Sequence, residues 1–152
     1  MPSTEAFGRP HEHFGALESV SSSTGILAEA AARLEASGQL IDTGLTTEHV
    51  FESARAGESW AREIVAETAE NIALAIVDIV SVLDPEAVVL RGSVVQYSGD
   101  LLETILARVR SALHHVPRVV VSTLGYRSAA LGALILVQNE TSERYAVRRV
   151  SW

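Results

Sequence analysis

The chain contains no cysteine. That absence removes disulfide bonds, thiolate nucleophiles, iron–sulfur clusters and cysteine-bound zinc from its possible chemistry. Lysine is missing too, so all twelve basic residues are arginine. Proline is limited to four residues and glycine to ten, while hydrophobic residues make up 47% of the 152, which argues against collagen-like, low-complexity and disordered classes. Long hydrophobic runs are lacking as well. The longest candidate, residues 64–83, is interrupted by Glu67, Glu70, Asn71 and Asp78, short of the roughly 18 apolar residues that suggest a membrane span. The opening MPSTEAFGRPHEH has no apolar core of the kind a signal peptide carries, so the expected location is cytoplasmic, with no membrane partner. Positive charge is in deficit: nineteen Asp and Glu against twelve Arg leave a net charge of -7. A duplex-binding surface needs a basic face to displace counterions, so no direct nucleic-acid contact is expected from these residues.

What is present reads as a layered α/β protein. The length fits one domain and suffices to bury roughly 70% of the unfolded surface. Residues 1–14 are polar and read as a loose entry segment. From Gly15 to Ser37 a helical pattern runs through Leu17, Val20, Ile26, Leu27, Ala30, Ala31 and Leu34 and stops at Gly38. Thr46 or Thr47 can cap a short helix that ends at Gly57. The clearest signal spans Glu58 to Leu83, where Trp60, Ile64, Thr68, Ile72, Ile76, Ile79 and Leu83 recur every three or four residues. Asp84-Pro85 ends it, because proline biases the preceding residue away from helix.

Two short apolar runs follow, Ala87-Val88-Val89-Leu90 and Val119-Val120-Val121. Neither alternates with polar residues, which predicts parallel strands buried on both faces. Between them, a helix capped by Ser98 carries Leu101, Ile105, Val109 and Leu113. A mostly apolar, buried helix is expected over 128–138, and residues 139–152 read as an arginine-containing tail. Two strands alone make a poor sheet, so the chain is expected to be a portion of something larger or to find partner strands elsewhere.

The segment Leu83-Asp84-Pro85-Glu86-Ala87-Val88-Val89-Leu90-Arg91-Gly92 resembles the "LDPE-apolar-GG" motif of the ROK family, the sugar kinases and sugar-responsive repressors. Gly15-Ala16-Leu17-Glu18 is similar to its "GCLE" motif. Leu45-Thr46-Thr47-Glu48-His49-Val50 through Gly57-Glu58 resembles the helix and acidic turn before its long interdomain helix. Leu124-Gly125-Tyr126-Arg127-Ser128-Ala129-Ala130-Leu131-Gly132-Ala133 resembles its terminal "LG...A..GA". Four motifs in the family's order, over about residues 8–138, are far more specific than any one alone. The resemblance implies the C-terminal part of an actin-like ATPase (ribonuclease H-like) fold, mostly helical with about two parallel strands. Residues 15–138 would form that subdomain.

The resemblance also implies roles. In kinases of the family the glutamate of the GCLE motif accepts hydrogen bonds from sugar hydroxyls, which assigns a sugar-binding role to Glu18. A solvated glutamate in the first turn of a helix is the plainer alternative. Gly92 and Ser93 fall where the family keeps consecutive glycines against the nucleotide. With Arg91 and Ser93 flanking a single glycine, the expectation is a degenerate nucleotide site and loss of ATP use. The family zinc loop is represented by Arg9, His11 and Ala16. Arg9 and Ala16 cannot ligate, and His11, Glu12 and His13 offer three ligands where tetrahedral zinc takes four, so no metal is expected.

Other signals read as structure. Asp42-Thr43-Gly44-Leu45-Thr46 spells D-x-G-x-T, but no buried strand precedes it to hold a phosphate loop rigid, and it reads as a helix–helix connection. Gly132 is expected to serve close packing. His114 and His115 suit a helix C-terminus. The serines at 19 and 21–23 lack a nucleophile elbow. No phosphate loop or catalytic aspartate is recognisable, so neither catalytic residues nor a cofactor are expected, nor activity from this chain alone. The function implied is the C-terminal, sugar-sensing portion of a ROK-type transcriptional repressor without its DNA-binding segment. It would take a sugar or sugar phosphate and self-associate as a homo-oligomer. The alternatives are the corresponding portion of an ATP-dependent ROK sugar kinase and a non-catalytic oligomerising remnant.

Overall fold

The computed structural model describes residues 15–38, 44–92, 94 and 97–144. Their order is α1 (Ala16–Ser21), α2 (Ser23–Ala36), α3 (Thr47–Ala56), α4 (Ser59–Leu83), β1 (Ala87–Leu90), α5 (Ser98–Ala112), β2 (Arg118–Val121), a 3-10 turn (Gly125–Arg127) and α6 (Ser128–Arg144). The strands pair in parallel with Val88 opposite Val119 and Leu90 opposite Val121. A parallel pair needs a crossover connection, and α5 supplies it.

α4 is the central element, touching α1, α2, α3 and α5. Its buried face holds Ala61, Ile64, Thr68, Ala69, Ala73, Ile76 and Val80. The sequence pattern locates the helix within a residue but misplaces part of its inward face. Ile79 and Leu83 are 47% and 70% exposed, while the alanines face inward. Small side chains let neighbouring helices approach, and a 3.6-residue turn carries a stripe of four-residue steps off the contact line. The core also takes Ile26 and Ala30 from α2, Val50 and Phe51 from α3, and Leu101, Ile105 and Val109 from α5. Burying each large member stabilises the fold by roughly 1.5–3 kcal/mol. Phe51 stacks on Tyr97, with ring centroids 4.2 Å apart and planes 7° from parallel.

Caps explain several boundaries. The helix expected over residues 15–37 is broken at Ser22, whose extended backbone (φ -86°, ψ 166°) separates α1 from α2. Its Oγ accepts from Gly25 N at 3.2 Å, satisfying an otherwise orphaned helix donor. The serine cluster is thus a helix break. Thr46, rather than Thr47, caps α3 by accepting from His49 N at 3.1 Å. Gly57 ends α3 at φ 98°. Asp84 ends α4 at φ 44° just before Pro85. α5 starts at Ser98, with Tyr97 in the cap position and no side-chain cap bond.

Ion pairs staple the helices from outside. Arg33 of α2 donates to Glu29 at 2.8 Å and to Glu63 and Glu67 of α4 at 2.9 and 2.6 Å. The hydrogen bond to Glu67 is the largest cause raising its guanidinium pKa above the ordinary value, against the opposing effect of burial. Arg55 of α3 grips both carboxylate oxygens of Asp100 at 3.0 and 2.6 Å, and Arg108 of α5 reaches Glu70 of α4 at 3.0 Å.

Four expectations are corrected. The strands are parallel, but they are not buried on both faces: Val89 is 60% exposed, because a two-stranded sheet with helices on one side leaves its other face open. α6 is not buried either. Leu134, Ile135, Leu136 and Val137 are 55–67% exposed, and a β-carbon on Gly132 would meet nothing within 4 Å, so that glycine serves no close packing among the described residues. α6 also continues past residue 138 to Arg144, across the expected start of the tail. Among the described residues, no helix is long and apolar enough to cross a membrane.

Candidate functional site

A cleft of about 660 Å³ opens between α1, the end of β1 and the first half of α5. Ile72, Leu90, Val94, Leu101, Ile105 and Val121 give it an apolar wall. Glu18 lines it from α1, and Arg91 and Gly92 line it from the turn after β1. The structure therefore brings the residue expected for sugar binding and the glycine of the nucleotide motif into one cavity. Ser93 lies outside the described residues, as do Arg9, His11, Glu12, His13, Asp42 and Thr43. Among the described residues, no group of three or more His, Asp or Glu is placed to hold a metal ion.

α1 is only six residues long, so its position depends on its attachments. Glu18 O accepts from Ser22 N at 3.1 Å, closing the helix where the chain turns into α2. Ser19 N donates to Gly15 O at 3.0 Å, and Ser19 Oγ donates to Ala16 O at 2.7 Å. The start of α2 then presses against α1. A β-carbon on Gly25 would lie 2.7 Å from the carbonyl carbon of Ser19 and closer still to its oxygen. Glycine is required there for close approach. Glu18 itself is exposed at the cleft, and its carboxylate has no ion-pair partner among the described residues.

The other wall rests on the strand pair. Leu90 O accepts from Ser122 N at 2.9 Å, tying the end of β1 to β2. The backbone leaves β1 through Gly92 at φ 128°, a conformation that L-residues rarely adopt. No heavy atom lies within 4 Å of the position a Gly92 β-carbon would take. Dihedral angle, not crowding, demands glycine here. Arg91 is exposed beside it.

Sequence reasoning missed Ser21. Its Oγ is buried, has no hydrogen-bond partner among the described residues, and belongs to a residue lining the cleft. The serine cluster at 21–23 was the visible signal, but nothing in it separates a cap, Ser22, from a hydroxyl left unpaired, Ser21.

Helices packed beside a parallel strand pair, with a cleft at the strand ends, place this chain among layered α/β proteins, the class in which strand ends are the usual position for a small-molecule site. The sequence matches the ROK family over residues 12–140. The chain belongs to the ROK family, and its fold is part of the actin-like ATPase fold. An N-acetylmannosamine kinase of Salmonella typhi is 33% identical over 132 residues, covering 84% of this chain and 41% of that protein. The bifunctional enzyme NanE/NanK of Brucella melitensis is 33% identical over 85 residues, 55% of this chain and 16% of that enzyme. The chain thus spans at most about two fifths of these curated relatives.

Among solved structures, a ROK family glucokinase from Streptomyces griseus in complex with glucose and AMPPNP superposes with a TM-score of 0.67 at 23% identity. The match covers 81% of this chain and 44% of that one. A ROK family transcriptional regulator, a homologue of the Escherichia coli MLC protein, gives 0.66 at 22% identity, covering 84% and 34%. Kinases and a regulator share this architecture, so the fold does not choose between them.

Proposed function

We propose that this chain is the sugar-sensing part of a ROK-type repressor, in which Glu18 accepts hydrogen bonds from sugar hydroxyls and no phosphoryl transfer takes place. The observation that carries this reading is the placement of Glu18 and Arg91-Gly92 on one cleft. A sugar hydroxyl held by the carboxylate would lie beside an arginine-bearing turn where the family keeps glycines for a nucleotide. An arginine side chain there occupies room that consecutive glycines leave to a ligand. A sensor needs only to bind sugar better in one conformation than in another. DNA contact would come from a basic segment other than these acidic residues. The open face of α6 supports self-association, since apolar surface of that kind is commonly covered by a partner.

The kinase reading is favoured by one observation, the N-acetylmannosamine kinases at about one-third identity. Under it, an aspartate outside this chain would deprotonate the sugar hydroxyl for attack on the γ-phosphate. Two measurements separate the readings. Titration calorimetry with glucose and N-acetylmannosamine should give saturable heat that Glu18→Gln weakens at least about ten-fold, the scale of one charge-assisted hydrogen bond. A coupled assay with ATP should give no turnover. Heat without dependence on Glu18 would remove the proposed role, and turnover above background would establish the kinase.

A further inference from the structure

Fifteen residues line the cleft, and Glu18 and Arg91 alone among them carry charge. They come from different elements, α1 and the turn after β1. Among the described residues neither is in an ion pair, with each other or with anything else. Arg33, Arg55 and Arg108 each meet a carboxylate at 3.0 Å or less; Arg62, Arg110 and Arg118 share with Arg91 the lack of an ion pair among the described residues, but Arg91 is the arginine that lines this cleft. An unpaired guanidinium at the rim of a largely apolar cavity offers a fork of N–H donors suited to a planar or tetrahedral oxyanion. An unpaired carboxylate elsewhere on the same cavity repels that anion and prefers hydroxyl donors. The two charges therefore select a ligand with hydroxyls at one end and an anion at the other.

We propose that Arg91 is a phosphate-recognising residue of this cleft, so that its preferred ligand is a phosphorylated polyol with hydroxyls at Glu18 and its phosphate at Arg91. This rests on the sugar-binding reading for the Glu18 end alone. Arg91 immediately precedes Gly92, whose positive φ fixes the course of the turn, so the arginine is presented from the end of a paired strand. A volume of about 660 Å³ lies within the roughly 300–1,000 Å³ usual for small-molecule sites and accommodates a hexose phosphate. The phosphate could belong to a sugar phosphate or to a nucleotide, and both present the same dianionic group to Arg91.

The test is calorimetry on the chain with matched ligands: glucose against glucose 6-phosphate, N-acetylmannosamine against its 6-phosphate, and ATP and ADP alone. A phosphorylated ligand should bind about ten-fold or more tighter than its neutral partner, and rising salt should weaken that increment but not hexose binding. Arg91→Gln should abolish the increment and leave hexose affinity within about two-fold, while Arg91→Lys should keep part of it, because charge survives without the bidentate fork. Preference for the sugar phosphates assigns the group to a sugar; binding of ATP and ADP that depends on Arg91, without that preference, assigns it to a nucleotide. Hexose binding with no phosphate increment, or an increment that survives Arg91→Gln, overturns the inference and leaves the sugar reading standing. No heat with any sugar, together with nucleotide binding that Arg91→Gln removes, ends the sugar reading and retains Arg91 as the phosphate residue. No binding by any phosphorylated compound overturns the inference outright.

Discussion

Gly25, in the first turn of α2, sits so close to Ser19 of α1 that a β-carbon on it would lie 2.7 Å from the Ser19 carbonyl carbon. The contact is to backbone, which cannot swing aside as a flexible side chain would. Gly25 is also buried, and α1 is the element that carries Glu18 to the cleft. Gly25→Ala is therefore expected to push α1 away, destabilising the chain by about 1–3 kcal/mol and weakening any ligand that depends on Glu18. Gly132→Ala is the control. That glycine lies within α6 with open space around it, so alanine should raise stability by roughly 0.5–1 kcal/mol through helix propensity. Urea denaturation of both variants checks the pair, and equal effects would contradict the packing argument.

Phe51 is 1% exposed and stacks on Tyr97, the residue in the cap position of α5. Its ring joins α3 to the start of the helix whose Leu101 and Ile105 wall the cleft. Phe51→Ala should cost about 3–5 kcal/mol, the range for deleting a buried aromatic ring, and Phe51→Leu considerably less. The urea midpoint should fall with an unchanged slope if the fold stays two-state. A loss under about 1 kcal/mol for the alanine variant would mean that the site collapses to fill the cavity.

Arg33 gathers Glu29, Glu63 and Glu67 and so clamps α2 on α4. Its side chain is 22% exposed, but two of its partners are 58% and 65% exposed, so solvent screens much of the Coulomb energy. Arg33→Ala should cost on the order of 1 kcal/mol, more at low salt. The sign of the pH dependence follows from the raised pKa. A cation held more tightly in the folded state contributes stability that is complete below its unfolded pKa and is lost only as pH rises through the higher folded value. Both values lie above the neutral and mildly alkaline range, so the gap between wild type and Arg33→Ala should stay constant from neutral to mildly alkaline pH. A gap that shrinks on alkaline titration would point to a different group.

Periodicity and breakers were enough to place the helices and both strands, because each signal is local. Apolar recurrence marks α4 and α5, Asp84-Pro85 stops α4, and the valine runs mark the strands. The orientation of faces was less legible. Alanine is a weak hydrophobic signal, so Ala61, Ala69 and Ala73 gave no sign that they face the core in place of Ile79 and Leu83. The break at Ser22 was hidden because the residues around it fit one helix equally well, and only the bond from Gly25 N to its Oγ decides the matter. Apolar composition predicted burial for α6 without revealing what would bury it. At the site, Glu18 and Gly92 were found through family motifs 74 positions apart in sequence. That both line one cleft is a tertiary fact which neither motif contains.

Asp84 and Gly92 flank β1 and both have positive φ, at 44° and 128°. The similarity is superficial. The first value lies close to the left-handed helical region, which aspartate tolerates better than most residues; the second lies outside it, where only glycine is comfortable. Asp84→Gly should therefore stay within about 1 kcal/mol of wild type, since relief of the β-carbon clash is offset by the greater entropy of glycine in the unfolded chain. Asp84→Val should lose about 1–2 kcal/mol, because a β-branched side chain is poorly accommodated there. Gly92→Ala should lose about 1–3 kcal/mol, or relax by moving the turn that presents Arg91. Denaturation combined with titration of a phosphorylated ligand separates these two responses. Retained stability with weakened phosphate affinity means the turn has shifted, whereas lost stability with unchanged affinity per folded molecule means the strain is held in place.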